Sequence, residues 1–440
     1  MRSCGMLSLV CLVLLVSATS ADGAAGALLP DVSLLLRQSL SDDVSKAFRA
    51  TVELVERGEG DLALPGLVKL ARSPRDAIVI AAALWFNNVG PAAEHASAEL
   101  QRLTSSWDHA VRFLACNAVC SLGPQAVCLL PDLMDRLRSP SEQYTCEVLR
   151  MVGSIGPAAQ IAAPLVRNYL TAESARTRSE AADALGSLGL IDEPIANALT
   201  TGLDDADRHV RGACARALGR LGARTEGVLG ALRAHTLDSD LSVREAAGCA
   251  LVALGDRLTG LVTLRRCVRE DPDPPASMLE SLANAGSVAL AVRYLSNAVN
   301  KGIRCRSSAA IDALRVLARL GPLAAAAEPV VERALRTWED PWDCVEAALA
   351  LARVGQVRQA LPLLIGSLTR GAGGRQHYPY RPRLDQFAAE ALGKIGPAAS
   401  PALPALRELL DDRHEDVRSA AAMAIARITE STGRGGAARE

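Results

Sequence analysis

Glycine returns along this chain on a fixed step of 33 residues, at Gly90, Gly123, Gly156, Gly189, Gly222 and Gly255. Five equal intervals in succession are the signature of a solenoid, in which one unit is copied and each copy packs only on its neighbours. The series reaches back to Gly58 and forward, with small changes of length, to Gly286, Gly321, Gly355 and Gly396. An array of this kind escapes the size limit of a single hydrophobic core, so 440 residues need not divide into two or three globular domains. It also favours an extended binding surface over an enclosed active site.

The clearest unit surrounds Gly222. Val210, Ala213, Cys214, Ala217, Leu218 and Leu221 fall at the spacing of one apolar helix face. Gly222 follows where a helix end adopts the left-handed conformation, and Val228, Leu229, Leu232 and Leu237 mark a second helix. Asp204, Asp205 and Asp207 precede the first helix, and Asp238 and Asp240 precede the next, where carboxylates satisfy free amides at the positive helix end. Proline follows the turn glycine at Gly90, Gly123, Gly156, Gly321 and Gly396; it starts a helix at a position that needs no amide proton. The unit is therefore a first helix, a tight turn, a second helix and an acidic linker. Eleven such pairs span about Asp42 to Leu410, and a last helix runs from Glu415 to Thr429.

A second series keeps register with the glycines. Twelve residues before each turn stand Ile78, Val111, Tyr144, Thr177, Val210 and Val243, and arginine follows at Arg112, Arg178, Arg211 and Arg244; Val417-Arg418 repeats the pair. The apolar member points into the core. The arginine lies where repeats meet, within reach of linker aspartates, and predicts an Asp–Arg ladder that fixes register more than it adds stability.

These residues carry a family resemblance. Asp204 to Arg211, followed by Ala215-Arg216-Ala217-Leu218-Gly219-Arg220-Leu221-Gly222, resembles the short bacterial HEAT-like repeat, as found also in phycobilisome-lyase-type proteins. So do Ala181 to Gly189 and Ala388 to Pro397. The resemblance covers residues 42–430 and implies an all-α, right-handed α-solenoid of about eleven HEAT-like helix pairs, with second helices lining the concave side. Ankyrin shares the period, but its Thr-Pro-Leu-His signature is missing, and the tetratricopeptide pattern is absent.

The flanks read differently. Residues 1–20, with Arg2, the apolar stretch Met6 to Val16 and the small residues Ala18-Thr19-Ser20, read as a signal peptide. Residues 21–41 then form an N-terminal linker or cap, and 431–440 a disordered tail. The apolar stretch is shorter than the ~20 residues of a membrane span, and no later stretch reads as transmembrane. The chain is accordingly expected to be exported, periplasmic or secreted, and monomeric. Nine cysteines remain beyond Cys4 and Cys11, an odd number that cannot all pair internally. Buried free thiols are expected, with Cys120 and Cys128 as the pair best placed for a bridge. A net charge of −1 gives no field that favours nucleic acid, and aromatic residues make up only 3% of the chain, which suits helices packed through Ala, Leu and Val.

Two places are candidate partner-binding sites. The spacing from Gly355 to Gly396 is 41 residues, so an inserted loop is expected at 371–383, carrying Arg375, His377, Tyr378, Tyr380, Arg381 and Arg383. Tyrosine and arginine are common binding hot spots, and solenoid insertions gather on one face; the alternative is a solvated loop. Second-helix arginines, among them Arg233, Arg265, Arg266, Arg269 and Arg293, are a candidate concave-face surface for an acidic partner or polyanion; the alternative is a solvated face in an Arg-rich chain, where 44 of the 48 basic residues are arginine.

Catalytic and metal readings find little support. The di-iron hydroxylases of HEAT-like build need several His-Glu pairs, and only His414-Glu415 matches. Bilin lyases share the repeat type, but no residue here marks a chromophore site. No Gly-rich phosphate loop, Gly-x-Ser-x-Gly turn or His-Glu-x-x-His helix is present, and Cys116-x-x-x-Cys120 lacks metal spacing. Trp338, Pro341 and Trp342 read as linker packing. The sequence thus predicts a non-catalytic protein-interaction scaffold that takes a protein or peptide and needs no cofactor, with a metal-dependent hydroxylase or prosthetic-group lyase, or polyanion binding, as alternatives.

Overall fold

A computed structural model describes residues 32–56, 60–89, 95–138, 144–271, 273–305, 307–369, 381–412 and 415–429. Residues 1–20, expected as a signal peptide, residues 431–440, expected as a tail, and the expected loop residues Arg375, His377, Tyr378 and Tyr380 lie outside them. Every described element is helical. After a helix at Val32–Ser39, eleven helix pairs follow the eleven turn glycines, from Val44–Glu56 with Gly60–Ala71 through Arg381–Ile395 with Leu403–Glu408, and Glu415–Thr429 closes the array. Among the described residues the chain is an α-solenoid.

The turn glycines earn their period through backbone geometry. Gly123, Gly156, Gly189, Gly222, Gly255, Gly286, Gly321, Gly355 and Gly396 all have positive φ. They divide into two kinds. Gly189 (φ 72°, ψ 6°) and Gly222 (φ 73°, ψ 28°) are left-handed helix caps, as the sequence predicts. Gly123 (φ 55°, ψ −128°), Gly156 (φ 69°, ψ −145°) and Gly321 (φ 59°, ψ −135°) are not. Each of these precedes proline, whose Cδ forbids a helical ψ in the residue before it. The chain therefore escapes into a region that is essentially glycine's alone.

Proline also shapes the second helices. In four repeats a second proline follows the first by seven residues: Pro124 and Pro131, Pro157 and Pro164, Pro322 and Pro329, Pro397 and Pro404. The intervening segments, such as Gly123–Leu129 and Gly156–Ala162, are 3₁₀ helix, and α-helix begins at the residue before the second proline. The expected ~14-residue second helix is thus shortened there, because the second proline supplies no amide to a continuous α-helical ladder.

Burial follows the apolar stripe. Val210, Ala213, Cys214, Ala217 and Leu218 are buried, as are Val228 and Leu232. Leu237, expected on the second helix, is 75% exposed, because that helix ends at His235. Three hydrophobic clusters follow one another, from Leu35 to Leu254, Val252 to Ala360 and Val345 to Ile428. Cys120 and Cys128 are not bridged; Cys116, Cys214 and Cys267 are buried free thiols and Cys128 is an exposed one. The apolar run His109–Arg138 has the length and composition of a membrane span, but Gly123 breaks it into two helices of the stack.

Candidate partner-binding surface

The arginine series forms the predicted ladder, and each rung has two halves. Arg178 Nη1 donates to the Ala172 and Glu173 carbonyls of its own linker, both at 2.9 Å, while Nε and Nη2 reach Asp205 of the next repeat at 2.7 and 2.8 Å. Arg211 repeats this with Asp205 and Ala206 carbonyls (3.0 and 3.1 Å) and Asp238 (2.8 and 2.9 Å). Arg244 holds the Asp238 and Ser239 carbonyls (2.8 and 3.0 Å) and closes on Glu270. One guanidinium thereby joins two linkers in a bidentate, largely desolvated geometry. The carboxylates respond. The Arg178 hydrogen bond holds the Asp205 carboxyl below its ordinary range. Burial pushes Asp238 up, but Arg211, the Asp240 amide and His235 outweigh it and leave the carboxyl at about 2.

At the ends the ladder changes chemistry. Arg112 reaches the Ser106 carbonyl at 2.8 Å and stacks over the Tyr144 ring at 4.1 Å. Arg418 takes the Asp412 carbonyl at 2.9 Å. The equivalent positions elsewhere are Ala47, Val79, Thr145, Pro275, Ala310, Cys344 and Asp385. Of these, Cys344 imitates the own-linker half of a rung: its Sγ lies 3.3 Å from the Trp338 carbonyl.

A further series escaped the sequence reading. Three residues before the turn stand Gly153, Gly186, Gly219 and Gly393. A Cβ at Gly153, Gly186 or Gly219 would lie 3.0, 2.9 or 2.9 Å from the Cα of Ala184, Ala217 or Ala250 in the next first helix; at Gly393 it would lie 3.0 Å from the Cα of Ala424. Successive first helices therefore meet backbone to backbone, at the close end of the ~8–10 Å interaxial range. Second helices of neighbouring repeats touch far less.

This stack presents a row of side chains that differ from repeat to repeat on a constant frame. Ten residues before the turn stand Phe113, Cys146, Ser179, Gly212 and Glu245; six before it stand Asn117, Arg150, Asp183, Arg216 and Cys249. They are linked across repeats. Arg150 lies 5.8 Å from the Phe113 ring centroid and donates to Asn117 Oδ1 at 3.3 Å. Arg216 binds Asp183 at 2.9 Å, and Cys146 Sγ contacts Thr177 Oγ1 at 3.3 Å. Burial raises the Glu180 carboxyl and pushes that of Glu245 up to about 7, where Glu245 Oε1 is buried without a hydrogen-bond partner.

The predicted sites are dispersed. Arg381 and Arg383, assigned to the inserted loop, belong to the first turn of helix Arg381–Ile395, so the loop ends before them. Arg233, Arg265, Arg266, Arg269 and Arg293 lie exposed on three successive second helices, Glu226–His235, Arg257–Glu270 and Val288–Cys305. Arg233 is held by Asp256 and Glu226, both at 2.7 Å. Arg265 donates to Ser287 at 2.8 Å and Arg266 to Glu270 at 3.1 Å. Arg269 and Arg293 form no ion pair among the described residues. The buried thiols are poor nucleophiles: burial pushes Cys116 and Cys214 up to about 12 and Cys249 and Cys267 to about 11. His414 lies outside the described residues.

With this geometry in hand, the chain can be set beside known proteins. A family model described as HEAT repeats matches residues 196–283 and 380–433, so these stretches of the chain are similar to HEAT repeats. No curated protein matches the sequence. Similar solved structures include an engineered protein (20% identity over 91% of this chain and 99% of that one, TM-score 0.30). Importin beta is 14% identical over 91% of this chain and 69% of its own, with a TM-score of 0.43. The complex of CpcE and CpcF of phycocyanin lyase from Nostoc sp. is 18% identical over 61% of this chain and 98% of that one, with a TM-score of 0.32.

Proposed function

We propose that this HEAT-repeat solenoid is an exported, non-catalytic scaffold that binds a protein or peptide along its surface. The observation that carries this reading is the first-helix row. The core positions of Thr145–Ile155, Ala175–Leu188 and Arg208–Leu221 stay apolar (Val148, Ala181 and Cys214; Met151, Ala184 and Ala217; Ile155, Leu188 and Leu221), while two other rows change chemical class, through Cys146, Ser179 and Gly212 in one and Arg150, Asp183 and Arg216 in the other. A stack that keeps an apolar frame while these rows change class provides recognition chemistry on a constant scaffold. The close approach of first helices further argues that they, and not the Arg-bearing second helices, form the inner side of the curve. The apolar Met6 to Val16 segment with Ala18-Thr19-Ser20 supports export.

The test is affinity capture from the exported fraction with three baits: wild type, the pair Phe113→Ala and Arg150→Ser, and a chain lacking Gly371–Pro382. Partners lost from either variant support the scaffold and locate its face. Stoichiometric iron or zinc in the purified protein, or an unchanged set of partners on both folded variants, counts against it.

A second reading has one observation in its favour. Helix Arg257–Glu270 exposes Leu258 and Val262 beside Arg265, Arg266 and Arg269, a face suited to a polyanion. Retention on heparin that falls steeply with salt would support it, and elution unaffected by salt would end it.

A further inference from the structure

The close packing of the stack changes partner at helix Leu241–Leu254. In the repeats before it, successive first helices meet through Gly153, Gly186 and Gly219. Here the position three before the turn is Val252, and the close contact is made with the repeat's own second helix instead. A Cβ at Gly260 would lie 2.9 Å from the Gly248 carbonyl oxygen and 3.1 Å from the Val252 amide nitrogen. The next first helix, Ala276–Asn284, has 9 residues against 14. Pro274 and Pro275 keep the residues before them out of the helical region, so it starts late. It touches Leu241–Leu254 less than Ala175–Leu188, Arg208–Leu221 and Leu241–Leu254 touch one another. The core also changes hands here: Leu251 and Leu254 belong to the first hydrophobic cluster and Val252 to the second.

Glu245 faces this loose seam. Its register neighbours are Gly212 and Ala276, and one turn further on the Cys249 thiol is hydrogen-bonded to Ser281 of Ala276–Asn284. Glu245 Oε1 is buried and has no hydrogen-bond partner. The charged groups around it are engaged elsewhere or repel it. On its own helix, Arg244 closes on Glu270 and Asp240 holds Arg208. Asp271 in the next linker adds negative charge, and helix Arg257–Glu270 presents the Cys267 thiol. Arg216 of the preceding first helix is paired with Asp183, and Glu280 of the following one with Arg319. On helix Glu226–His235, Arg233 is held by Glu226 and Asp256, and His235 lies between Asp204 and Asp238. A neutral acid fits such a seam; a carboxylate there lacks both a cation and full hydration, which is costly.

We infer that the solenoid hinges at this seam and that Glu245 sets the hinge: the neutral acid lets Ala276–Asn284 close on Leu241–Leu254, and the carboxylate opens the seam to water. Opening changes the angle between the repeats on either side and leaves the packing within each side intact. The hinge stands whether or not the surface binds a partner. The raised carboxyl, at about 7, places the change near neutral pH, with the closed form favoured below it and the open form above.

The test uses the full chain, followed by small-angle X-ray scattering and by hydrogen exchange corrected for intrinsic rate. Between about pH 6 and pH 8, protection of Ala276–Asn284 is expected to fall about tenfold while Arg208–Leu221 keeps its own. The radius of gyration is expected to grow over the same range. Glu245→Gln is expected to hold the low-pH values throughout. Glu180→Gln is the control: burial raises that carboxyl too, but its helix is seated through Gly153 and Gly186, so the variant should respond as wild type does. Should Glu245→Gln misfold by circular dichroism, Glu245→Ala, which copies Ala276 at the same register, carries the same prediction. Flat wild-type profiles, an unchanged response in the folded Glu245 variant, or loss of the response in Glu180→Gln would each overturn the inference.

Discussion

Residues 172–254 and residues 273–345 carry the same repeat with opposite detailing. In the first stretch every seam has its guanidinium, two linker carboxylates are held below their ordinary range by arginine, and first helices touch through glycine and alanine. In the second, Pro275, Ala310 and Cys344 stand in place of arginine, the glycines three before the turn have become Ala283, Ala318 and Ala352, and cavities open along the seam. The core hardly distinguishes them: Val210, Leu218 and Val243 are as buried as Leu279, Leu314 and Leu317. Repeat identity lies in the apolar stripe, whereas the fastening between repeats lies in polar and small residues that can be changed one seam at a time.

Breaking the regular stretch should make it resemble the open one. The largest effect is expected from Gly186→Val, which drives a branched side chain into the Ala217 backbone; chemical denaturation should show a loss of about 3 kcal/mol, as for other overpacked contacts. A loss below about 1 kcal/mol would mean that the helices part freely. Next, Arg211→Met removes one guanidinium and strands Asp238; a loss of about 2 kcal/mol is expected from the charge-assisted bonds. The same rung has a pH signature. The Asp238 carboxyl at about 2 lies below its ordinary value, so the stability it contributes is complete above about pH 4 and is lost as pH falls through about 2. In Asp238→Asn the acid limb of the unfolding curve should flatten.

Smaller effects sharpen the contrast between turn types. Gly123→Ala should cost about 1 kcal/mol more than Gly222→Ala, because alanine enters the left-handed region at a cost of ~1–2 kcal/mol but scarcely enters the extended region that Pro124 imposes. At the border of the two stretches, Glu245→Gln tests the opposite pH sign. Burial raises that carboxyl to about 7, so wild-type stability should fall as pH rises from about 4.5 through 7, and the variant should lose this slope in melting-temperature measurements. The smallest change is a gain: Gly230 has open space around its missing Cβ, and Gly230→Ala should add up to about 1 kcal/mol.

Much of this was legible in the sequence, for definable reasons. Turn glycines and capping aspartates act locally, so period and type of residue suffice: Asp207 and Asp240 cap as expected. The Val-Arg pairs were readable because the partner carboxylates recur on the same step. Gly186 and Gly219 were not, because a mid-helix glycine looks alike whether it admits a neighbouring backbone or merely weakens a helix. The ψ of Gly123 was missed because it depends on the next residue. The open seam was least visible, since its cause is an arginine that Ala310 and Pro275 do not supply, and a gap in a series shows only once the seam is seen. The loop residues from Arg375 to Tyr380 remain sequence-level candidates.

The central claim is that polar fastening, not core burial, sets the difference between the two stretches. Native-state hydrogen exchange tests it most directly, by comparing amides in Ala175–Leu188 and Arg208–Leu221 with those in Ala276–Asn284 and Ser308–Leu320. The account predicts that the fastened helices open last, and that Arg211→Met brings Arg208–Leu221 down to the level of Ser308–Leu320. Equal protection in all four wild-type helices, or a lead for Ser308–Leu320, would contradict it.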